Sequence, residues 1–461
     1  MKDDRMGTKK ILSLLIEFSI PAIVGMLVNA IYNIVDRMFI GNAPGLGTLG
    51  IAGITISYPV TLVLMALCLG SGVGGGTRFS ISLGKGEREE AKKYMGNSFM
   101  LSCTYGILFM ILGNIFMEPI LVGLSASNEV LPYAKEYLSI ILYGAVFQAI
   151  AMWGNNLSRA QGNPRNAMIS QLIGAGFNII FDYIFIFVFD MGMAGAAWAT
   201  IGGQALSAIW QLAFIMSDRS IIKMTKDCLR VQVKYIKNVF LTGLPMFLMQ
   251  MANSVLNIVL NGTVSAHGGD IAITAVGVIT SFQTLLLMPL TGLAQGQQPL
   301  ISYNYGAGNM DRVRQTLRYS IIGGTIFAFF GFLVVQLFPQ FIISMFTPDK
   351  DVIEMGSTAL RIWFMAVFIV GAQMVCANYF QALGRVKIAS LLNLTRQVIV
   401  LIPLIIIFAE VFGLYGIFFA VPVADLTASI ITFVMLKRDG NSIINILKIK
   451  KQDIEQEVIE A

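Results

Sequence analysis

Acidic and amide side chains recur at helical spacing in two segments that are otherwise apolar. Asn29, Asn33 and Asp36 lie four and three residues apart, and Asn178 and Asp182 lie four apart. Each set therefore shares one face of a helix. Two aspartates that come close together repel each other when both are ionised, which favours keeping a proton on one of them. The spacing predicts a cation site for H⁺, or equally for Na⁺, built on Asp36 and Asp182.

The composition places these segments inside a membrane. Of 461 residues, 56% are hydrophobic and 13% are charged, whereas a soluble domain carries about 25% charged residues. This excludes a soluble enzyme or a nucleic-acid binder, in spite of the net charge of +6. His267 is the single histidine, so multi-histidine metal sites are excluded and His-based catalysis is disfavoured. The four cysteines lack a C-x-x-C pair and predict neither disulfides nor a zinc site.

Twelve apolar stretches are long enough to span a bilayer, which needs about 20 residues each. They predict an all-α polytopic membrane protein, and the first stretch is kept as a span because it is too long for a signal peptide. Proline inside a span is tolerated when neighbouring helices satisfy the freed carbonyl. The predicted spans are 14–40, 49–74, 94–117, 131–158, 165–189, 194–217, 236–265, 271–298, 315–340, 352–382, 387–409 and 413–436.

Basic residues predict the orientation, because cytoplasmic loops collect Lys and Arg. With both termini inside, the cytoplasmic segments hold 27 of the 32 Lys and Arg residues. The remaining five are Arg37, Lys135, Lys350, Arg361 and Arg396. Counting the helical rise inward from the outer span ends places Asp36, Asn178, Asp182 and Thr200 in the outer half of the membrane.

The two halves of the chain resemble each other at an offset of 222 to 224 residues. Pro21 matches Pro245, and the segment 160–162 matches 382–384. Six spans per half predict two bundles related by a pseudo-twofold axis along the membrane normal. The predicted domains are an N-terminal lobe at 1–217, a basic cytoplasmic linker at 218–235, a C-terminal lobe at 236–437 and a cytoplasmic tail at 438–461. A duplicated bundle favours a transporter over an enzyme.

The second half lacks the acids of the first. Leu260 stands at the position of Asp36 and Leu404 at that of Asp182, so the cation site is expected in the first half only. Asp425 lies near the middle of the last span and has no evident partner. A polar stripe continues through the second half and is interpreted as cavity lining, with hydrogen bonding between helices as the alternative. The predicted substrate cavity comprises Asn29, Asn33, Gln250, Asn253, Asn257 and Met288.

Together the motifs resemble the MATE (multidrug and toxic compound extrusion) family over about residues 10–437. They are the segment 33–41 around Asp36, Gln298-Pro299 followed by 304–309, and the segment 192–200. The missing acids of the second half indicate the DinF/MepA-like bacterial branch. The resemblance implies export of lipophilic, often cationic compounds in exchange for H⁺ or Na⁺. It also implies an ion site on Asp36, Asn178, Asp182 and Thr200, with Tyr32 as hydrogen-bond partner and Asn155 as a further member.

We therefore expect a multidrug efflux antiporter of the bacterial inner membrane, with both termini cytoplasmic. No nucleotide-binding P-loop occurs in the sequence, so an ion gradient is expected to drive transport, with no cofactor besides the coupling ion. The expected partners are small organic substrates and the bilayer, with no nucleic acid, and the chain is expected to be a monomer. The alternative is a lipid-linked oligosaccharide flippase. It would need Arg and Lys in its cavity, whereas almost all cations here are expected in loops.

Overall fold

The computed structural model describes residues 5–43 and 46–460, with side chains described as far as Asp439. The predicted N-terminal lobe, outer loop and tail include residues 1–4, 44–45 and 461, which lie outside the described residues. The described helices are α1 (Arg5–Thr8), α2 (Ile11–Asn42), α3 (Gly47–Gly84), α4 (Arg88–Ile115), α5 (Met117–Gly123), α6 (Leu131–Tyr143), α7 (Ala145–Ala160), α8 (Pro164–Tyr183), α9 (Gly192–Met216), α10 (Val233–Gly306), α11 (Met310–Leu337), α12 (Pro339–Ser344), α13 (Lys350–Trp363), α14 (Val367–Ala382), α15 (Val386–Leu394) and α16 (Ile402–Glu460). Two π-helices, Ile184–Val188 and Thr395–Leu401, follow α8 and α15.

These helices supply the twelve predicted spans. Within the described part of the chain, eight helical stretches are long and apolar enough to cross a membrane. Two further spans are bent pairs, α6 with α7 at 53° and α13 with α14 at 51°. α10 and α16 each change direction at a glycine of positive φ, Gly269 (61°) and Gly413 (64°), a conformation that glycine adopts without strain. Each of these two stretches is therefore two spans, and the twelve-span prediction is confirmed.

The glycine-rich end of the second span continues further than predicted. This span was predicted to end at residue 74. In the structure α3 stays helical to Gly84. A Cβ at Gly74 would collide with the Val239 carbonyl of α10, and one at Gly84 with the Tyr303 carbonyl. The end of α3 therefore packs closely against α10 and extends past the predicted end of the span.

The helices form two bundles, here called the N-lobe (α2–α9) and the C-lobe (α10–α16). The bundles meet where α2 and α3 pack against α10, with backbone contact between Gly70 and Gly243 and between Gly296 and Ser19. We call this contact, at the predicted cytoplasmic end, the interlobe closure. The exact domain boundaries at 217, 235 and 437 stay a prediction.

The N-terminal segment reinforces the interlobe closure. The Arg312 guanidinium of α11 donates to the carbonyl oxygens of Met6 (3.0 Å) and Lys9 (2.7 Å). Arg5 donates to the carbonyl oxygen of Gly162 in the N-lobe at 2.7 Å. Met6 itself is buried. Residues 5–9 are thus bonded to both lobes at the same end of the molecule.

Candidate functional site

The two aspartates predicted to form a cation site are buried side by side. Asp36 lies on α2 and Asp182 near the end of α8, with 7% and 0% of each residue exposed. Their carboxyl groups are close enough to interact directly. Asp36 Oδ1 and both carboxylate oxygens of Asp182 have no hydrogen-bond partner among the described residues. Buried polar atoms are rarely left unpaired, so these oxygens are free to hold a proton or a cation.

A π-helix and an aromatic cluster shape the outer side of this pair. The π-helix Ile184–Val188 follows α8 directly, and π-turns are frequent at functional sites. The Phe39 ring contacts the rings of Tyr183 and Phe187, with centroids 6.3 Å and 5.9 Å apart. Buried aliphatic residues, among them Ile40 and Ile186, extend this apolar cluster. These apolar side chains therefore cover the acid pair on the side that faces the outer ends of the spans.

A cavity of about 190 Å³ lies inside the N-lobe and is here called the N-lobe cavity. Tyr32, Asn178 and Thr200 line it. The Asn178 amide donates to Thr200 Oγ1 at 3.2 Å, while Asn178 Oδ1 is buried without a partner. Asp182 follows Asn178 by one helical turn on the same face, so it lies one turn beyond this wall of the cavity.

Asn155 lines the same cavity but belongs to a different polar network. Its Oδ1 accepts a hydrogen bond from Gln211 at 2.8 Å, and Gln211 Oε1 accepts from Ser158 and Asn166. Sequence reasoning missed Tyr137 of α6, which is buried within electrostatic range of both aspartates. No spacing rule links Tyr137 to them, because it lies on a different helix.

A second cavity of about 300 Å³, here called the central cavity, lies between the lobes. Of the predicted substrate residues, Asn29 and Gln250 line it, but Asn33, Asn253, Asn257 and Met288 line neither cavity. Asn33 and Asn257 are exposed and donate to carbonyl oxygens of their own helices. Asn253 accepts from Gln397, at 2.7 Å. The central and N-lobe cavities share Asn29, Met65, Met152, Asn155 and Gln171, so they are contiguous.

The walls of the central cavity carry positive but no negative groups. Amides and methionines predominate, and no Asp or Glu is among the described lining residues. Arg159 and Arg396 both line it, although almost all cations were expected in loops. Arg396 Nε donates to Asp425 Oδ1 at 2.7 Å, which supplies the partner that the sequence could not assign to Asp425.

Comparisons with known proteins agree on one family. The MatE family model matches residues 21–184 and 245–407, once in each half. The chain is 27% identical to the multidrug export protein MepA of Staphylococcus aureus (strain MSSA476), over 95% of this chain and 98% of MepA. It is 36% identical to the MATE multidrug transporter DinF-BH, whose structure was solved as a complex, with a TM-score of 0.89 over 96% of this chain and 99% of that one. A multidrug resistance MATE transporter of the MOP superfamily, solved in an outward-facing conformation, shares the fold with a TM-score of 0.91 at 22% identity, over 96% of this chain and 99% of that one.

Proposed function

Because the chain belongs to the MatE family, we propose that it exports lipophilic organic compounds across the bacterial inner membrane in exchange for H⁺ or Na⁺. Its similarity along nearly the whole chain to a multidrug export protein and to a multidrug transporter supports the export of varied compounds. Methionine and amide walls in the central cavity support it as well, since such surfaces adapt to differently shaped ligands.

The observation that carries the coupling proposal is the buried Asp36–Asp182 pair with unpaired oxygens. A carboxylate at membrane depth costs about 2.5–3.5 kcal/mol on insertion scales, so such groups are functional candidates by default. The pair lies beside a cavity that is contiguous with the central cavity, so ion and substrate can influence each other. No cluster of three or more His, Cys, Asp or Glu occurs among the described residues, which disfavours a divalent metal here.

The proposed cycle uses the pair as a switch between two access states. Binding of H⁺ or Na⁺ removes the repulsion between Asp36 and Asp182 and favours one state, and substrate binding favours the other. Each ligand shifts the equilibrium by its difference in affinity between the two states. One charge moving through 100 mV releases about 2.3 kcal/mol, which sustains a concentration ratio of roughly fiftyfold.

Transport by purified protein in liposomes tests the proposal and identifies the ion. A lipophilic dye is placed on one side, and a pH gradient or a Na⁺ gradient is imposed separately, with a liposome that lacks protein as control. Dye movement against its gradient under one of the two conditions is the expected result. If the dye moved only down its own concentration gradient under both conditions, antiport would be contradicted.

A further inference from the structure

An unpaired arginine lies at the wall of the central cavity. Arg159, in the last turn of α7, has 6% of its surface exposed. A guanidinium carries five N–H donors, and the one hydrogen bond described for it goes to Asn156 Oδ1 at 3.0 Å. No carboxylate of the described residues pairs with it. A buried charge without a counter-charge is costly, so the site is open to an anion.

Polar side chains surround Arg159. A small pocket of about 10 Å³ lies beside it, lined also by Thr77, Ser80 and Gln298. Arg159, Asn156 and Gln298 line both this pocket and the central cavity, so a ligand group reaches the arginine from the cavity. The other arginine of the cavity, Arg396, is already neutralised by Asp425. Arg159 is thus the cation that a ligand could neutralise.

The C-lobe shows that the fold does not require a charge at this position. At the offset of 222 residues, Arg159 corresponds to Gln381 and Asn156 to Asn378. Gln381 and Asn378 also line the central cavity, from the opposite lobe. The C-terminus of α7 favours a cation through its partial negative charge, but the equivalent end of α14 is occupied by a neutral amide. The charge is therefore specific to the N-lobe side of the cavity.

We propose that Arg159 forms an anion subsite of the central cavity, and that preferred substrates combine a lipophilic body with a carboxylate group. The guanidinium matches a carboxylate geometrically and can bind it through two parallel hydrogen bonds. The amide and methionine walls would hold the rest of the molecule. This inference rests on the proposed export function and specifies the chemistry of its substrates.

Two dyes that differ in a single group test the proposal. One is a xanthene dye with a free benzoate, and the other is the methyl ester of the same dye. Their affinities for the purified full-length protein are measured by fluorescence anisotropy, which does not depend on transport. Replacing Arg159 by Gln (Arg159→Gln) should weaken binding of the acid by roughly tenfold or more, as expected for loss of a charge-assisted hydrogen bond. Binding of the ester should stay nearly unchanged.

Matched variants separate charge from packing. Arg159→Lys should retain part of the preference for the acid, since it keeps the charge without the planar fork. Gln381→Asn, at the equivalent position of the C-lobe, should affect the acid and the ester alike. Equal affinity of wild-type protein for both dyes, or an equal effect of Arg159→Gln on both, would overturn the anion subsite and leave export intact. If neither dye bound, the anion subsite would be overturned, whereas the export function would still be decided by dye transport in liposomes.

Discussion

The carboxyl groups of Asp36 and Asp182 oppose each other inside an apolar bundle. Two unit charges about 4 Å apart repel by roughly 1 to 4 kcal/mol, depending on how much water screens them. A bound proton or Na⁺ removes that repulsion, and its release restores it. The pair can therefore convert ion binding into a preference for one conformation, which is what coupling requires.

Removing either carboxylate should uncouple transport. In Asp36→Asn and in Asp182→Asn the amide cannot ionise, so no repulsion builds up when the ion leaves. We expect gradient-driven efflux to fall by roughly tenfold or more, while the protein still inserts and folds. Dye efflux from energised cells, normalised to the amount of protein in the membrane, measures this.

The matched control is Asp270→Asn, which removes an exposed carboxylate near the kink of α10. Efflux by this variant should equal that of the wild type. Full efflux by both Asp36→Asn and Asp182→Asn would place the coupling site elsewhere in the molecule.

Local spacing was enough to predict the acids of the site but not its basic residues. Asp36 and Asp182 stand out in sequence because a carboxylate inside an apolar span is conspicuous. Arg159 lies just past the predicted end of its span and therefore counted as a loop cation. Its burial depends on how α7 packs against the closed end of the bundle, which no window of sequence contains. Tyr137 was missed for the same reason.

At the scale of helices, glycine decides how closely the lobes approach. α3 and α10 touch backbone to backbone at Gly70 and Gly243, and Gly74 faces the carbonyl of Val239. Small residues allow such contact between membrane helices, where packing rather than the hydrophobic effect drives association. The interlobe closure therefore depends on the absence of side chains along this face of α3.

A side chain at Gly74 should open the closure. In Gly74→Val the added methyl groups collide with the α10 backbone, and overpacking of this kind costs about 1–3 kcal/mol. We expect the balance to shift toward the state that is open at this end by roughly tenfold or more. A cysteine at Gln295, which lines the central cavity, should then react faster with a membrane-impermeant thiol reagent added on the cytoplasmic side.

Gly176→Val serves as the control, because a Cβ at Gly176 of α8 meets nothing within 4 Å. Labelling of the cysteine at position 295 should not change in this variant. Unchanged labelling in Gly74→Val as well would show that the closure does not limit access to the cavity.

Hydropathy was sufficient to count the spans. The predicted and the observed spans differ at the ends of the helices and at the bends within them. The bend between α6 and α7 and the π-helix after α8 both lie inside predicted spans. They depend on which neighbours each helix meets, and span prediction from hydropathy does not include those neighbours. The break at Gly269 falls in the predicted gap at 266–270, and the break at Gly413 falls on the first residue of the predicted span 413–436.

For the whole molecule, duplication produces two similar lobes with different charges. The family model matches both halves, yet the buried acid pair belongs to the N-lobe and the Arg396–Asp425 ion pair to the C-lobe. We therefore propose that ion coupling belongs to the N-lobe, while the ion pair of the C-lobe is structural. We propose that the lobes move against each other about the interlobe closure, with the linker at 218–235 on the cytoplasmic side.

Labelling of single cysteines tests this orientation. Lys226 in the linker and His267 before the kink of α10 are both exposed. In a background without the four native cysteines, Lys226→Cys should react with an impermeant reagent only from the cytoplasmic side. His267→Cys should react only from outside, because basic loops stay in the cytoplasm. Reversed labelling would overturn the orientation of both termini.

The exporter and the flippase differ in what the connected cavities must accept. The central cavity offers methionine and amide walls with one unpaired arginine among its described lining residues. A lipid diphosphate could contact Arg159. Any part of it that entered the N-lobe cavity would approach Asp36 and Asp182, with a repulsion of roughly 1 to 4 kcal/mol for each close charge pair. A lipophilic dye has no such penalty there.

Expression of this chain in a bacterium that lacks its own drug pumps should therefore raise resistance to lipophilic dyes. Dye efflux should collapse when the ion gradients are dissipated, because the chain contains no nucleotide-binding P-loop to supply energy. The double variant Asp36→Asn/Asp182→Asn is the matched control and should give no resistance at equal expression. The export function would be contradicted if the chain gave no dye resistance but rescued a strain that lacks the flippase for its lipid-linked oligosaccharide precursor. In that case the arginines of the central cavity would serve a phosphate headgroup, and the acid pair would not face the substrate.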